Sequence, residues 1–281
     1  MENAKHIIEY YDLCEADYRT FWDLDYSLAM HAGFWDNSVK TLRQALAREN
    51  EVLAEMAGIN SRDFVLDAGC GVGGSSILLE EKHHCAVTGI TLCQKQVDAA
   101  LKNSLGRKLS PCPDFQVANF CRTGFPNDQF DVVWAVESVC HAEKKLDFVK
   151  EAFRLLKSKG RLIIADGFLK KKHLSLEEER QMSKWIKGWG CNSLEDIEVF
   201  KDHILAAGFH LIGNYDVTPL VLPSSKRLFY LSFPAMVMSK VGEWLKLRHP
   251  IQSANIAGAF YQYQTLKKRL WAYGIFLAEK P

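Results

Sequence analysis

The residues best placed to do chemistry sit in and just after one short stretch, Phe64-Val65-Leu66-Asp67-Ala68-Gly69-Cys70-Gly71-Val72-Gly73-Gly74. An apolar run ends in an acid and passes at once into closely spaced glycines, and a helical pattern follows from Ser75 to Glu81. That order describes a buried parallel strand, a tight turn and a helix whose N-terminus faces a ligand. Glycine admits backbone angles and close approaches that a Cβ blocks. On its own, such a turn serves nucleotide, flavin and sulfonium cofactors alike. An NAD-type site wants Asp or Glu at the end of the second strand for the ribose hydroxyls. Here the chain reads Gly89-Ile90-Thr91, which counts against a dinucleotide. Further candidates follow later strands. Glu137 and Asp166 either orient a substrate or cap the next helix. His141 acts either as a base or as a positioning residue, and Cys140 beside it reads as a small packing residue.

These residues need a sheet to hold them. Strands are expected at 63–67, 85–90, 114–118, 130–135 and 160–166, with helices near 74–82, 93–104 and 144–157. This alternation predicts an α/β fold, a Rossmann-like, doubly wound, mostly parallel seven-stranded sheet that binds ligands beyond the carboxyl ends of its strands. Residues 4–23 form an aromatic-rich helix, 26–35 a loop and 41–57 a second helix, so that 1–57 cap the cofactor side of a core at 58–218. Past Asp166 come helices at 175–189 and 195–207 and a strand near 209–217. An apolar helical insertion within 219–269 serves as a lid, and a last strand at 270–278 closes an antiparallel pair at the sheet edge. In the lid, Leu228, Phe229, Tyr230, Leu231, Phe233, Met236, Met238, Val241, Trp244 and Leu245 recur at helical spacing, which makes core packing their first reading. The sharper one is the wall of a pocket for an apolar substrate.

Composition sets the bounds. The 281 residues carry 35 basic and 34 acidic side chains, a formal net charge of +1 that gives no electrostatic reason to expect nucleic acid. Eight cysteines show no CxxC pair and no metal-ligand spacing with histidine, so free thiols in a reducing cytosol, and no metal, are expected. The first residues are charged rather than an apolar signal core, and no apolar run spans a bilayer. A cytoplasmic protein is therefore the expectation. The basic residues Lys226, Arg227, Lys246 and Arg248 read first as a solvated face, which leaves peripheral membrane contact open, as is homo-oligomerisation.

In combination the motifs resemble the class I S-adenosylmethionine-dependent methyltransferases, in the branch of the tocopherol C-methyltransferases and cyclopropane fatty acid synthases. Val65–Ser76 resembles their first motif. Thr88-Gly89-Ile90-Thr91-Leu92 with Gln96 resembles the second, and Phe130–Ser138, which includes Val136, the fourth strand. The resemblance implies S-adenosylmethionine as cofactor. Backbone groups of Ala68, Gly69 and Gly71 would hold its amino-acid end, and Thr91, Leu92 and Gln96 its ribose and adenosine side. Asn119, where the family usually has Asp, and the adjacent Phe120 would meet the adenine, with Val136 a further contact. Tyr26 and Ser27 would cover the carboxylate, and His31 lies in a loop similar to the His-x-Gly motif of the tocopherol group. The Glu that precedes the His of the synthases is Cys140 here, which favours methyl transfer over cyclopropanation. The function implied is transfer of a methyl group to a small, largely apolar acceptor (terpenoid, quinone, sterol or lipid-like), at carbon. An N- or O-methyltransferase and a non-catalytic binding protein are the alternatives. Carbon as acceptor requires a base, for which His31, His141 or a lid tyrosine such as Tyr230 are the candidates, and Glu137 is counted with the catalytic residues as a group that orients the substrate.

Overall fold

Period-2 alternation places successive strand residues on opposite faces of a sheet, and here helices cover both faces. The computed structural model describes residues 2–107 and 109–281. Its strands are β1 (Phe64–Ala68), β2 (Ala86–Thr91), β3 (Asp114–Val117), β4 (Phe130–Val136), β5 (Leu156–Leu169), β6 (His210–Asp216) and β7 (Trp271–Glu279). They form one seven-stranded sheet in the order β3-β2-β1-β4-β5-β7-β6. The first five run parallel, whereas β7 is antiparallel to both neighbours, β5 and β6. Val65, Val132, Trp134, Ile163 and Ile275 pack into one apolar layer. Leu66, Val133, Ala135, Ile164 and Phe276 pack into the other. The reversal from β1 out to β3 and back to β4 opens a crevice at the carboxyl end of β1, where ligands bind in such sheets.

The helices are α1 (Glu2–Phe21), α2 (Leu24–Ser27), α3 (Leu42–Ala57), α4 (Gly74–His83), α5 (Gln94–Leu105), α6 (Lys145–Leu155), α7 (Leu176–Gly188), α8 (Ile197–Ala206), α9 (Thr218–Trp244) and α10 (Pro250–Lys267). Capping boxes start α3 at Thr41 with Gln44, and α7 at Ser175 with Glu178. A single 3₁₀ turn, Val139–His141, follows β4.

Three expectations need correction. Strand β5 runs from 156 to 169 rather than 160 to 166, because Phe130 pairs with Leu156 at one end and β7 extends the ladder to Leu169 at the other. The loop at 26–35 begins inside α2, with Leu28 left-handed at its C-terminus (φ 52°). The third concerns the lid. Along α9 the buried residues include Ser224, Ser225, Ser232 and Ser239, while Tyr230, Phe233, Met238, Val241 and Trp244 are exposed. Of the ten apolar side chains expected to pack there, Leu228 is buried, against Tyr18, Trp22 and Ala259, and Phe229, Leu231 and Met236 are half-buried. Core packing therefore explains a minority of this helix. No described helix is long and apolar enough to cross a membrane.

Candidate active site

The glycine turn after β1 is built to leave space. Gly69 has φ 104°, and a Cβ there would stand 2.4 Å from the Ser138 Cβ. Gly71 has φ 52°, and its Cβ would meet the Met30 methyl at 2.7 Å. Both angles lie in the region that side chains resist. The amides of Gly69 and Cys70 donate to the Ile90 carbonyl, and the Ser138 hydroxyl donates to the Ala68 carbonyl at 2.6 Å. These bonds pin the turn between β2 and the end of β4. Asp67 accepts from the Ser76 hydroxyl at 2.6 Å; burial, opposed by that bond, leaves its carboxyl at about 6.

Beyond the turn lies a cleft, placed where ligands bind in such sheets. Its floor and far wall are Asp67, Gly69, Cys70, Gly71, Ser75, Thr91, Leu92, Gln96, Phe120, Val136, Glu137, Ser138 and His141. Its roof is Tyr11 on α1 and Leu28–His31. The Thr91 hydroxyl donates to Gln96 Oε1 at 2.5 Å, which fixes that amide at the cleft edge. A second, tighter chamber adjoins it and shares Tyr11, Met30, Glu137 and His141 with the first. Its walls are aromatic: Tyr18, Trp22, Trp185, Trp189, Trp271 and Tyr273. Trp185 and Trp271 stack at 4.2 Å between ring centroids. Gln262 Oε1 and Trp185 Nε1, on two chamber-lining residues, are buried without a hydrogen-bond partner among the described residues.

A polar network joins the two cavities. His31 Nδ1 and the Gly33 amide donate to Glu49 Oε2 at 2.6 and 2.8 Å, and the Tyr273 hydroxyl donates to Glu49 Oε1 at 2.6 Å. Tyr273 Oη lies 3.0 Å from Glu137 Oε1, which also accepts from the Ala32 amide at 2.6 Å. Because the phenol has one proton and spends it on Glu49, the Glu137 contact is satisfied when Glu137 itself is protonated and donates. The carboxyl's chemistry agrees. Burial, reinforced by the Glu49 charge and opposed by His31, lifts Glu137 to about 8. Burial alone would lower His31, but the Glu49 carboxylate overrides it and holds the imidazole above its usual value. His141 is clamped differently. Its Nδ1–H donates to the Gly190 carbonyl and its Nε2 accepts from the Tyr11 hydroxyl, each at 2.9 Å.

The cleft gathers Gly69, Gly71, Thr91, Leu92, Gln96, Phe120, Val136, His31, Glu137 and His141. Four expected residues lie outside its lining. Ala68 is buried and holds the turn through its carbonyl. Tyr26 is 70% exposed, with the Arg43 guanidinium 4.2 Å above its ring. The Ser27 hydroxyl donates to the Trp22 carbonyl. The physical reason is α2: it turns 26 and 27 outward, and left-handed Leu28 sends 28–31 into the cleft instead. Asn119 closes an Asx turn on the Cys121 amide at 2.9 Å. The fold also assembles a cluster that linear spacing hides, Cys140, His141 and Cys191, with ligand atoms within 4.8 Å of one another; the two sulfurs are 3.6 Å apart.

Residues 66–164 match a family model described as a methyltransferase domain. A 27-O-demethylrifamycin SV methyltransferase of Amycolatopsis mediterranei is 30% identical over 195 residues, 69% of this chain and 71% of that protein. The chain belongs to the S-adenosylmethionine-dependent methyltransferases. A 2-methyl-6-phytyl-1,4-hydroquinone methyltransferase of Synechocystis is 36% identical over 151 residues, 51% of this chain and 45% of that one. In fold, the methyltransferase is similar to a cyclopropane synthase of Mycobacterium tuberculosis, with a TM-score of 0.84 at 16% identity, over 99% of this chain and 98% of that one.

The cleft of this methyltransferase fits S-adenosylmethionine. Side chains at Gly69 and Gly71 would collide with the far wall and the roof, the end of β2 carries no acid, and Phe120 offers a flat apolar face. Because Tyr26 faces solvent, Tyr26→Ala is expected to leave the cofactor dissociation constant within about twofold of wild type by calorimetry. A tenfold loss would return Tyr26 to the site.

Proposed function

We propose that this methyltransferase moves a methyl group to carbon on a small, largely apolar, hydroxyl-bearing acceptor of terpenoid, quinone, sterol or lipid-like type. One observation carries the reading: Glu137 lines both the cofactor cleft and the aromatic chamber, where the two meet. The relative named for a phytyl hydroquinone supports the acceptor class.

Gly69, Gly71, Thr91, Gln96 and Phe120 would hold the cofactor, which supplies an activated methyl group. The chamber's rings exclude water and hold the acceptor in line, which is where the site contributes most to such a displacement. Tryptophan and tyrosine faces also stabilise positive charge growing on the acceptor as its carbon gains the methyl. Carbon must then lose a proton. Glu137, when ionised, accepts it at the cavity junction, and the Tyr273–Glu49–His31 line spreads the charge across the roof. Trp185 Nε1 and Gln262 Oε1, without partners among the described residues, are a donor and an acceptor for polar groups on the substrate, and burying such groups unpaired costs about 1–3 kcal/mol each. Peripheral contact with a membrane belongs to the same reading, since acceptors of this class partition into lipid.

The test is incubation with S-adenosylmethionine and a panel of prenylated hydroquinones, sterols and terpenoid alcohols, read by mass spectrometry and then NMR. The expected product is heavier by one CH₂, with a new carbon–carbon bond. A methyl found on oxygen or nitrogen would overturn the carbon assignment and make Glu137 a positioning residue.

A further inference from the structure

Helix α9 turns large apolar side chains outward and buries small polar ones. Its protein-facing side is largely serine, with Ser224, Ser225, Ser232 and Ser239 buried. Its outer side repeats Tyr230, Phe233, Val237, Val241 and Trp244 at spacings of three and four, one continuous stripe on a helix. The stripe continues past the helix end, where Leu247 is, like Trp244, 81% exposed. Soluble surfaces seldom leave such a contiguous apolar patch uncovered.

Charge indicates what covers it. Residues 218–249 hold five basic side chains against one acid, Glu243, although the whole chain is nearly neutral. Arg227 and Arg248 are engaged inward, with the Phe21 carbonyl and Asp17. Lys226, Lys240 and Lys246 remain exposed along the stripe. A two-fold contact between copies of this face would set those lysines against their own kind. An anionic lipid surface matches both features: acyl chains take the stripe, and phosphates take lysines that snorkel from its edges. Tryptophan near the tip suits the headgroup boundary.

We propose that the outer face of α9 and the turn after it dock this protein on an anionic phospholipid surface. The proposal rests on the apolar-acceptor reading for its purpose, and the fold provides a route. An apolar slot between α1, α9 and α10, lined by Leu228, Leu231 and Ile256, includes Trp22, which also lines the inner chamber.

The test sediments the full-length protein with vesicles of phosphatidylcholine alone and of phosphatidylcholine with equimolar phosphatidylglycerol. The expected result is pelleting with the mixed vesicles that weakens as salt rises. The double variant Trp244→Glu, Leu247→Glu should lower the bound fraction at least about tenfold, since it removes two apolar anchors and adds two negative charges facing an anionic surface. Calorimetric binding of S-adenosylmethionine should be unchanged in the variant, which shows that it folds. Two outcomes overturn the proposal. One is absence of wild-type protein from both vesicle pellets. The other is a lipid-free oligomer, seen by sedimentation velocity, that the same double variant dissociates, which would make the face a subunit interface. Lipid binding requires no acceptor and no turnover, so a failed acceptor screen and a failed vesicle experiment are separate results.

Discussion

Gly71→Arg is expected to abolish S-adenosylmethionine binding, with at least a hundredfold loss of affinity by calorimetry, about 2.7 kcal/mol or more. Two effects add. At φ 52° a side chain strains the backbone by roughly 1–2 kcal/mol. The arginine then has to enter the cleft, because the first added carbon already stands 2.7 Å from the Met30 methyl. Met30 can swing its terminal methyl aside for a small residue, but a guanidinium in that space displaces the ligand itself. Gly106→Arg is the control. Among the described residues, none beyond its chain neighbours comes within 4 Å of a Cβ built there, so this variant should bind as wild type does. Circular dichroism on both separates lost binding from lost structure. Wild-type affinity in a folded Gly71→Arg protein would show that the turn does not cradle the cofactor.

That turn is also the part of the site most legible in the sequence. A short apolar run, an acid and glycines at intervals of one and two leave few physical options, and the β-α-β rhythm fixes which end of the sheet they serve. What escaped the sequence depends on distance or direction. The chamber draws Trp22, Trp185, Trp189 and Trp271 from elements up to about 250 positions apart, so no local pattern announces it. Glu49 did leave a trace, an acid on the face of α3 that also buries Leu46 and Leu53. Its partners Tyr273 and His31 become visible only once β7 lies beside β5. Tyr26 and Ser27 carry suitable chemistry, but left-handed Leu28 decides which side of the chain reaches the cleft. Apolar spacing on α9 gave the helix correctly. It gave the wrong face, because periodicity reports that a stripe exists and is silent on whether protein covers it.

Glu137→Gln should lower kcat by about 10²–10⁴-fold, the range for loss of a positioned general base, while the affinity for S-adenosylmethionine stays near wild type. Glutamine has the same shape and its amide oxygen still accepts from the Ala32 amide, so the fold of the loop survives while the proton acceptor is lost. A base works ionised, and burial holds this carboxyl at about 8, so the wild-type rate should climb with pH through that value and level off above it. The variant should lose that limb. Stability moves in the opposite sense. The folded protein favours the neutral carboxyl more than the unfolded chain does, so this group's contribution is complete at acid pH, below the ordinary carboxylate range. It is lost as pH rises through about 8. Above that value Glu137→Gln should therefore melt higher, relative to wild type, than it does at low pH. The two profiles cross-check each other, because a carboxyl that merely braces the roof would shift the melting curve and leave the pH–rate limb in place. Loss of the limb in Glu137→Gln, with cofactor binding intact, places the proton transfer at the junction of cleft and chamber.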